Sequence, residues 1–133
     1  MPDLPAQLPV EGIATRFCTK NVAAIIRREI AEAGGTEVYF IGKRDQTGLI
    51  SEVEAHAYGN KGAVPVVFKN LRAGDVIIHN HPSGVLMPSE ADMAVSQNVS
   101  EMGVGSYICD NECERFRVII RPHEPTEKQP LDL

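Results

Sequence analysis

Residues 75–92 read DVIIHNHPSGVLMPSEAD and hold the side chains best suited to chemistry in this chain. Val76, Ile77 and Ile78 form the short apolar run expected of a buried strand. That strand delivers His79 and His81 at its C-terminal end. Residues two apart on a strand face the same side, so the two imidazoles can converge on one point. Pro82-Ser83-Gly84 turns the chain. Pro88-Ser89 then opens a helix, and Asp92 falls in its first turn. Two imidazoles and a carboxylate are a ligand set for a catalytic zinc that keeps a fourth position open. Both donor types suit this borderline-soft ion. Ser89-X-X-Asp92 ahead of an apolar stripe is also nearly a capping box, which usually carries Glu or Gln at its last position. Ser89 as helix cap and Asp92 as cap or ligand therefore both stand.

The surrounding elements must bring these groups together. A helix is predicted over residues 19–33, because Val22, Ile25, Ile26, Ile30 and Ala33 recur at helical spacing and Gly34-Gly35 supplies the stop. Arg27, Arg28 and Glu32 fall on its outer, solvated face. Residues 36–42, TEVYFIG, form a β-branched and aromatic strand. Residues 49–58 alternate, with Val53, Ala55 and Ala57 on one face and Glu52, Glu54 and His56 on the other. A short apolar strand over residues 64–68 and a turn at 70–74 lead into the histidine strand. A second helix over residues 89–102 carries the stripe Ala91, Val95, Val99 and Met102, closed by Gly103. Residues 105–109 and 116–121 pair around the polar turn 110–114. Residues 1–13 read as an N-terminal arm with a short strand near 8–10. Residues 122–133 read as a Pro-rich tail or linker. The domain between, 14–121, is α/β, with a mixed and largely antiparallel sheet flanked by helices.

His79-Asn80-His81, seven residues, then Ser89-Glu90-Ala91-Asp92 resembles the signature of the JAMM (MPN+, JAB-type) zinc metalloproteases. Their usual form has Ser or Thr between the histidines. Asn80 stands there instead, and His-Asn-His-Pro-Ser-Gly is similar to the bacterial RadC-like branch. The resemblance spans residues 14–121 and implies the MPN (JAB/JAMM) fold, cytidine-deaminase-like in outline. It implies Zn2+ held by His79, His81 and Asp92, and Ser89 as donor to a developing oxyanion. It also implies a glutamate base on the strand after the first helix. Glu37-Val38-Tyr39-Phe40-Ile41-Gly42 resembles that pattern, with Glu52 and Glu54 as rivals on the next strand. The implied activity is metallopeptidase or isopeptidase hydrolysis of an amide bond. The implied substrate is a protein or peptide, such as the C-terminal tail of a ubiquitin-like or sulfur-carrier protein. The alternatives are a non-catalytic MPN-like protein-binding module and a RadC-like DNA-repair-associated domain.

The whole chain is consistent with one such domain. It has 133 residues, 43% hydrophobic and 23% charged, as expected of a globular protein with a single core. There is no tryptophan, so the core should be mostly aliphatic. A formal charge of −5 argues against a nucleic-acid surface, which needs a basic footprint. Adjacent His-Asn-His is not the dispersed ββα-metal motif of HNH nucleases. No apolar run spans a bilayer and no signal-peptide pattern opens the chain. Three cysteines make no disulfide framework, and a cytoplasmic setting is expected. Cys109 and Cys113 have a permissible metal spacing but no second pair beside them, and Cys18 stands alone in the sequence. His56 and His123 read as surface residues.

Overall fold

A computed structural model of the chain describes residues 8–58 and 70–124. The elements run β1 (Glu11–Ile13), a single 3-10 turn (Ala14–Arg16), α1 (Lys20–Glu32), β2 (Val38–Arg44), β3 (Ile50–Tyr58), β4 (Val76–Asn80), α2 (Glu90–Ser100), β5 (Gly105–Cys109) and β6 (Arg115–Ile120). They build one six-stranded sheet of order β1-β6-β5-β4-β2-β3. Its named strand pairs are antiparallel except β4–β5. That parallel pair needs a crossover, and α2 supplies it. The loop leaving the C-terminal end of β4 is therefore the first arm of a βαβ unit, the part of an α/β sheet where ligands collect.

The two helices cover opposite faces. Thr19 caps α1 by accepting the Val22 N–H at 3.2 Å. The helix buries Val22, Ala23, Ile26 and Ile30 against Phe40, Ile50, Val76, Ile78 and Tyr107. Ile77, one residue out of phase, packs instead with Val99 and Val104 on the α2 side. The two-residue period of β4 thus sends Val76, Ile78 and Asn80 toward α1, and Ile77 and His79 toward α2. Gly42 closes the buried run of β2, where a Cβ would lie 2.9 Å from Ile50.

Four expectations change. The first strand is Glu11–Ile13 rather than residues 8–10, because its partner β6 pairs Glu11 with Arg117 and Ile13 with Arg115. The buried stripe of α2 is Asp92, Ser96 and Val99, while Ala91 and Met102 are exposed. The helix lays a partly polar face on the sheet, where the Ser96 and Ser106 hydroxyls hydrogen-bond at 2.7 Å. Cys18 is not alone: its thiol meets that of Cys113, which in turn meets Cys109. All three are buried and free; Cys18 is held above the ordinary thiol range by its contact with Cys113 and by burial, and Cys113 by its contact with Cys109 and by burial, which outweigh the opposing pull of Cys18. Pro122 is buried and the His123 N–H donates to Gly103 at 3.0 Å, so the chain still packs on the domain there. The strand expected at residues 64–68 lies outside the described residues. No helix among the described residues is long and apolar enough to cross a membrane.

Candidate metal centre

His79 closes β4 on the α2 face and His81 follows just past the strand end. Antiparallel β2 sets Tyr39 opposite His79. Two positions back from Tyr39, Glu37 comes to the same face. From the other side, α2 presents Asp92 in its first turn. Glu37, His79, His81 and Asp92 each offer a ligand atom, and these atoms all lie within 4.8 Å of one another. His79 and Asp92 are buried, at 2% and 5% exposure, while Glu37 keeps 28% and His81 18%. The cluster therefore has a dry floor and an open rim.

The contacts call for a cation. His81 Nδ1 lies 2.8 Å from the Val85 carbonyl, which can only accept. Nδ1 must carry a proton, so in the neutral ring Nε2 presents its lone pair to the cluster. Yet His81 Nε2 sits 2.8 Å from Asp92 Oδ2. A lone pair facing a carboxylate oxygen at that distance is repulsive unless a proton or metal ion lies between them. His79 Nε2 is 3.0 Å from Asp92 Oδ1 and 3.9 Å from Glu37 Oε2. The Asp92 contact is ionic in distance but not aligned as a hydrogen bond, and both His79 ring nitrogens are buried without a hydrogen-bond partner among the described residues. An unsatisfied buried polar group costs about 1–3 kcal/mol. With both rings neutral, these converging nitrogen and oxygen atoms have no proton to share, and they fit a bound metal ion.

Asp92 is both cap and cluster member. Its Oδ2 accepts the Ser89 N–H at 2.8 Å, and its own N–H donates to Ser89 Oγ at 3.0 Å, completing a capping box. Burial pushes its carboxyl up, but His79 and His81, where their rings carry the shared proton, and the Ser89 N–H outweigh it and hold the group well below the usual carboxylate range. Ser89 is exposed at the rim. Its oxygen accepts from the helix, and its hydroxyl hydrogen has no acceptor among the described residues.

Glu52 and Glu54 lie exposed on β3 and do not join the cluster. Two residues that no spacing rule identified do support it. The Tyr39 ring stacks on His79 at 4.8 Å and 20°. Burial pushes its hydroxyl above the ordinary phenol range, helped by the charges of Glu37 and Asp92 and by its hydrogen bond to Glu37. Asn80, fully buried on the far face, bonds to Thr36, Val38 and Asn111. A buried amide in an otherwise apolar strand was the available signal for Asn80. Tyr39 had none, because its role depends on the β2–β4 register.

A family model described as the RadC-like JAB domain matches residues 18–108, which include all four residues of the cluster. A search of curated proteins returns no match.

Proposed function

The chain belongs to the RadC-like JAB domain family, and from that premise we propose that it is a zinc-dependent hydrolase of amide bonds, peptide or isopeptide. The observation that carries this reading is the convergence of Glu37, His79, His81 and Asp92 within 4.8 Å. His79, His81 and Asp92 would hold the ion. Bound there, zinc would supply Lewis acidity toward the scissile carbonyl and bring a water's pKa toward neutrality.

This chain's own residues supply the rest. Glu37, half-exposed beside His79, takes a proton from the attacking water and returns it to the leaving amine. The Tyr39 hydroxyl orients the carboxylate, and the stacked Tyr39 ring keeps His79 in plane. Ser89 donates its free hydroxyl hydrogen to the oxyanion, a contribution of a few kcal/mol when such a donor is preorganised. The buried floor excludes water from behind the ligands, and the rim at Glu37, His81 and Ser89 admits a substrate. An extended protein tail, of the ubiquitin-like or sulfur-carrier kind, suits so open a rim.

One observation favours a second reading. Glu37 lies within ligand range of the other three, and four protein ligands would close the site and make it structural. The protein would then be a non-catalytic binding module. Glu37→Gln separates the two. As a base, Glu37 can be lost without loss of zinc, while cleavage of a tagged peptide library falls by about 10²–10⁴. As a ligand, its loss takes zinc with it. Metal analysis beside His81→Ala tests the centre itself, and equal, negligible zinc in native protein and that variant would overturn the hydrolase and the structural zinc alike and favour a metal-free binding module.

A further inference from the structure

Glu37 is held in place by little of its own strand. β2 begins at Val38, paired there with Tyr58 of β3, while its ladder to β4 ends at Tyr39 opposite His79. Upstream, Gly34 and Gly35 adopt φ of 74° and 81°, so the chain leaves α1 through two residues with few intrinsic restraints. Thr36 contributes one local bond, from its hydroxyl to the Ala33 carbonyl at 3.0 Å.

The missing restraint comes from the far side of the sheet. Asn80 points away from His79 and His81, and its amide grips both peptide groups that flank Glu37. Its Oδ1 accepts the Val38 N–H at 2.8 Å, and its Nδ2 donates to the Thr36 carbonyl at 3.2 Å. The second Nδ2 hydrogen goes to Asn111 Oδ1 at 2.8 Å, and Asn111 Nδ2 donates to the Pro82 carbonyl at 3.1 Å. One side chain thus continues the β2–β4 pairing past the point where backbone pairing stops. It also ties the Glu37 segment to the turn that follows His81. Both Nδ2 hydrogens are committed and the residue is fully buried, so Asn80 is not a substrate contact.

We propose that Asn80, supported by Asn111, is a positioning residue that sets Glu37 against the metal cluster. The inference rests on reading Glu37 as the proton carrier. Its geometric logic is specific to an amide. Serine is too short to reach both Thr36 and Val38. Aspartate would set an oxygen against the Thr36 carbonyl and Asn111 Oδ1. A displacement of about 1 Å in a catalytic group can cost about a hundredfold in rate.

The test combines Asn80→Ser, Glu37→Gln and the double variant. In metal-stripped protein, Asn80→Ser should speed hydrogen exchange at the Val38 amide at least about tenfold, while Ile108 in β5 stays protected. Zinc content should match the native protein. Hydrolysis of p-nitrophenyl acetate should fall about ten- to a hundredfold, and the double variant should be no slower than Glu37→Gln alone, since both changes act through one group. The visible spectrum of the cobalt(II)-loaded protein repeats the cycle without a substrate: both single variants shift the bands alike, and the double variant adds nothing. Native exchange at Val38 overturns the proposal. So do losses that multiply in the double variant, or zinc that is lost with Asn80→Ser. A native rate in Glu37→Gln would instead strike the base assignment, and the exchange and cobalt arms would then judge the clamp by themselves.

Discussion

Asp92 does two jobs that one atom change can separate. Its Oδ2 accepts the Ser89 N–H at 2.8 Å, and the same oxygen lies 2.8 Å from His81 Nε2. Its Oδ1 lies 3.0 Å from His79 Nε2. Asp92→Asn keeps the shape and leaves an acceptor for Ser89, so α2 should lose less than the roughly 1 kcal/mol of a deleted cap. The anionic charge is gone, and with it the ligand that would offset a divalent ion. Removing even a group that merely supports a metal ligand costs about 10–100-fold in affinity, so a direct ligand's charge should cost at least about a hundredfold. For the native protein, zinc at a hundredfold excess over its dissociation constant adds about 2.7 kcal/mol. For a chain of this size that raises the melting temperature by roughly 10 °C. At the same zinc concentration the variant should gain only about 0.4 kcal/mol, roughly 1–2 °C. Calorimetry with and without zinc reads the increment within each protein, so a shifted baseline cancels. The metal-free baselines carry a second signature. Asp92's carboxyl is held low in the fold, so its contribution is present above its unfolded pKa of about 4 and is lost as the pH falls through the folded value. The two metal-free proteins should therefore converge in acid. An equal zinc increment in both proteins would refute the ligand assignment, and a gap constant with pH would refute the electrostatic account.

Other outcomes test the supporting residues. Tyr39→Phe keeps the ring on His79 but removes the hydroxyl from Glu37. Zinc content should hold while hydrolysis drops several-fold, less than the about 10²–10⁴ lost with the base itself; an unchanged rate would remove Tyr39 from the site. Tyr107 is a core residue whose hydroxyl has no hydrogen-bond partner among the described residues, and burial pushes its pKa up to about 12. Tyr107→Phe should therefore be neutral or stabilising by up to about 1 kcal/mol in urea titrations at neutral pH. A raised phenol contributes fully below its unfolded pKa of about 10, and that contribution is lost as the pH rises through about 12. The native protein should lose about 2–3 kcal/mol more than the variant across that window, and parallel curves would contradict the desolvation argument.

What could be read in the chain before folding depended on how local each cause is. His79 and His81 sit two apart behind an apolar run, and that alone puts both on one face. Asp92 was legible as one turn into a helix. Glu37 was not legible from any spacing. Its resemblance to a family pattern suggested it, but the physical reason it reaches the cluster is that β2 lies antiparallel beside β4 with Tyr39 against His79. The same distance from cause to effect accounts for where the structure departs from local expectation. β1 begins at Glu11 because of where β6 runs, and nothing between residues 8 and 13 encodes that. The α2 stripe departs from the apolar pattern because its buried face is partly Asp92 and Ser96. That departure is informative: a helix packs carboxylate and hydroxyl groups inward only where something on the sheet will meet them. Ser96 meets Ser106. Asp92 meets two imidazoles whose lone pairs have no other use, and the mismatch between apolar expectation and polar burial marks the centre as sharply as the histidine pair does.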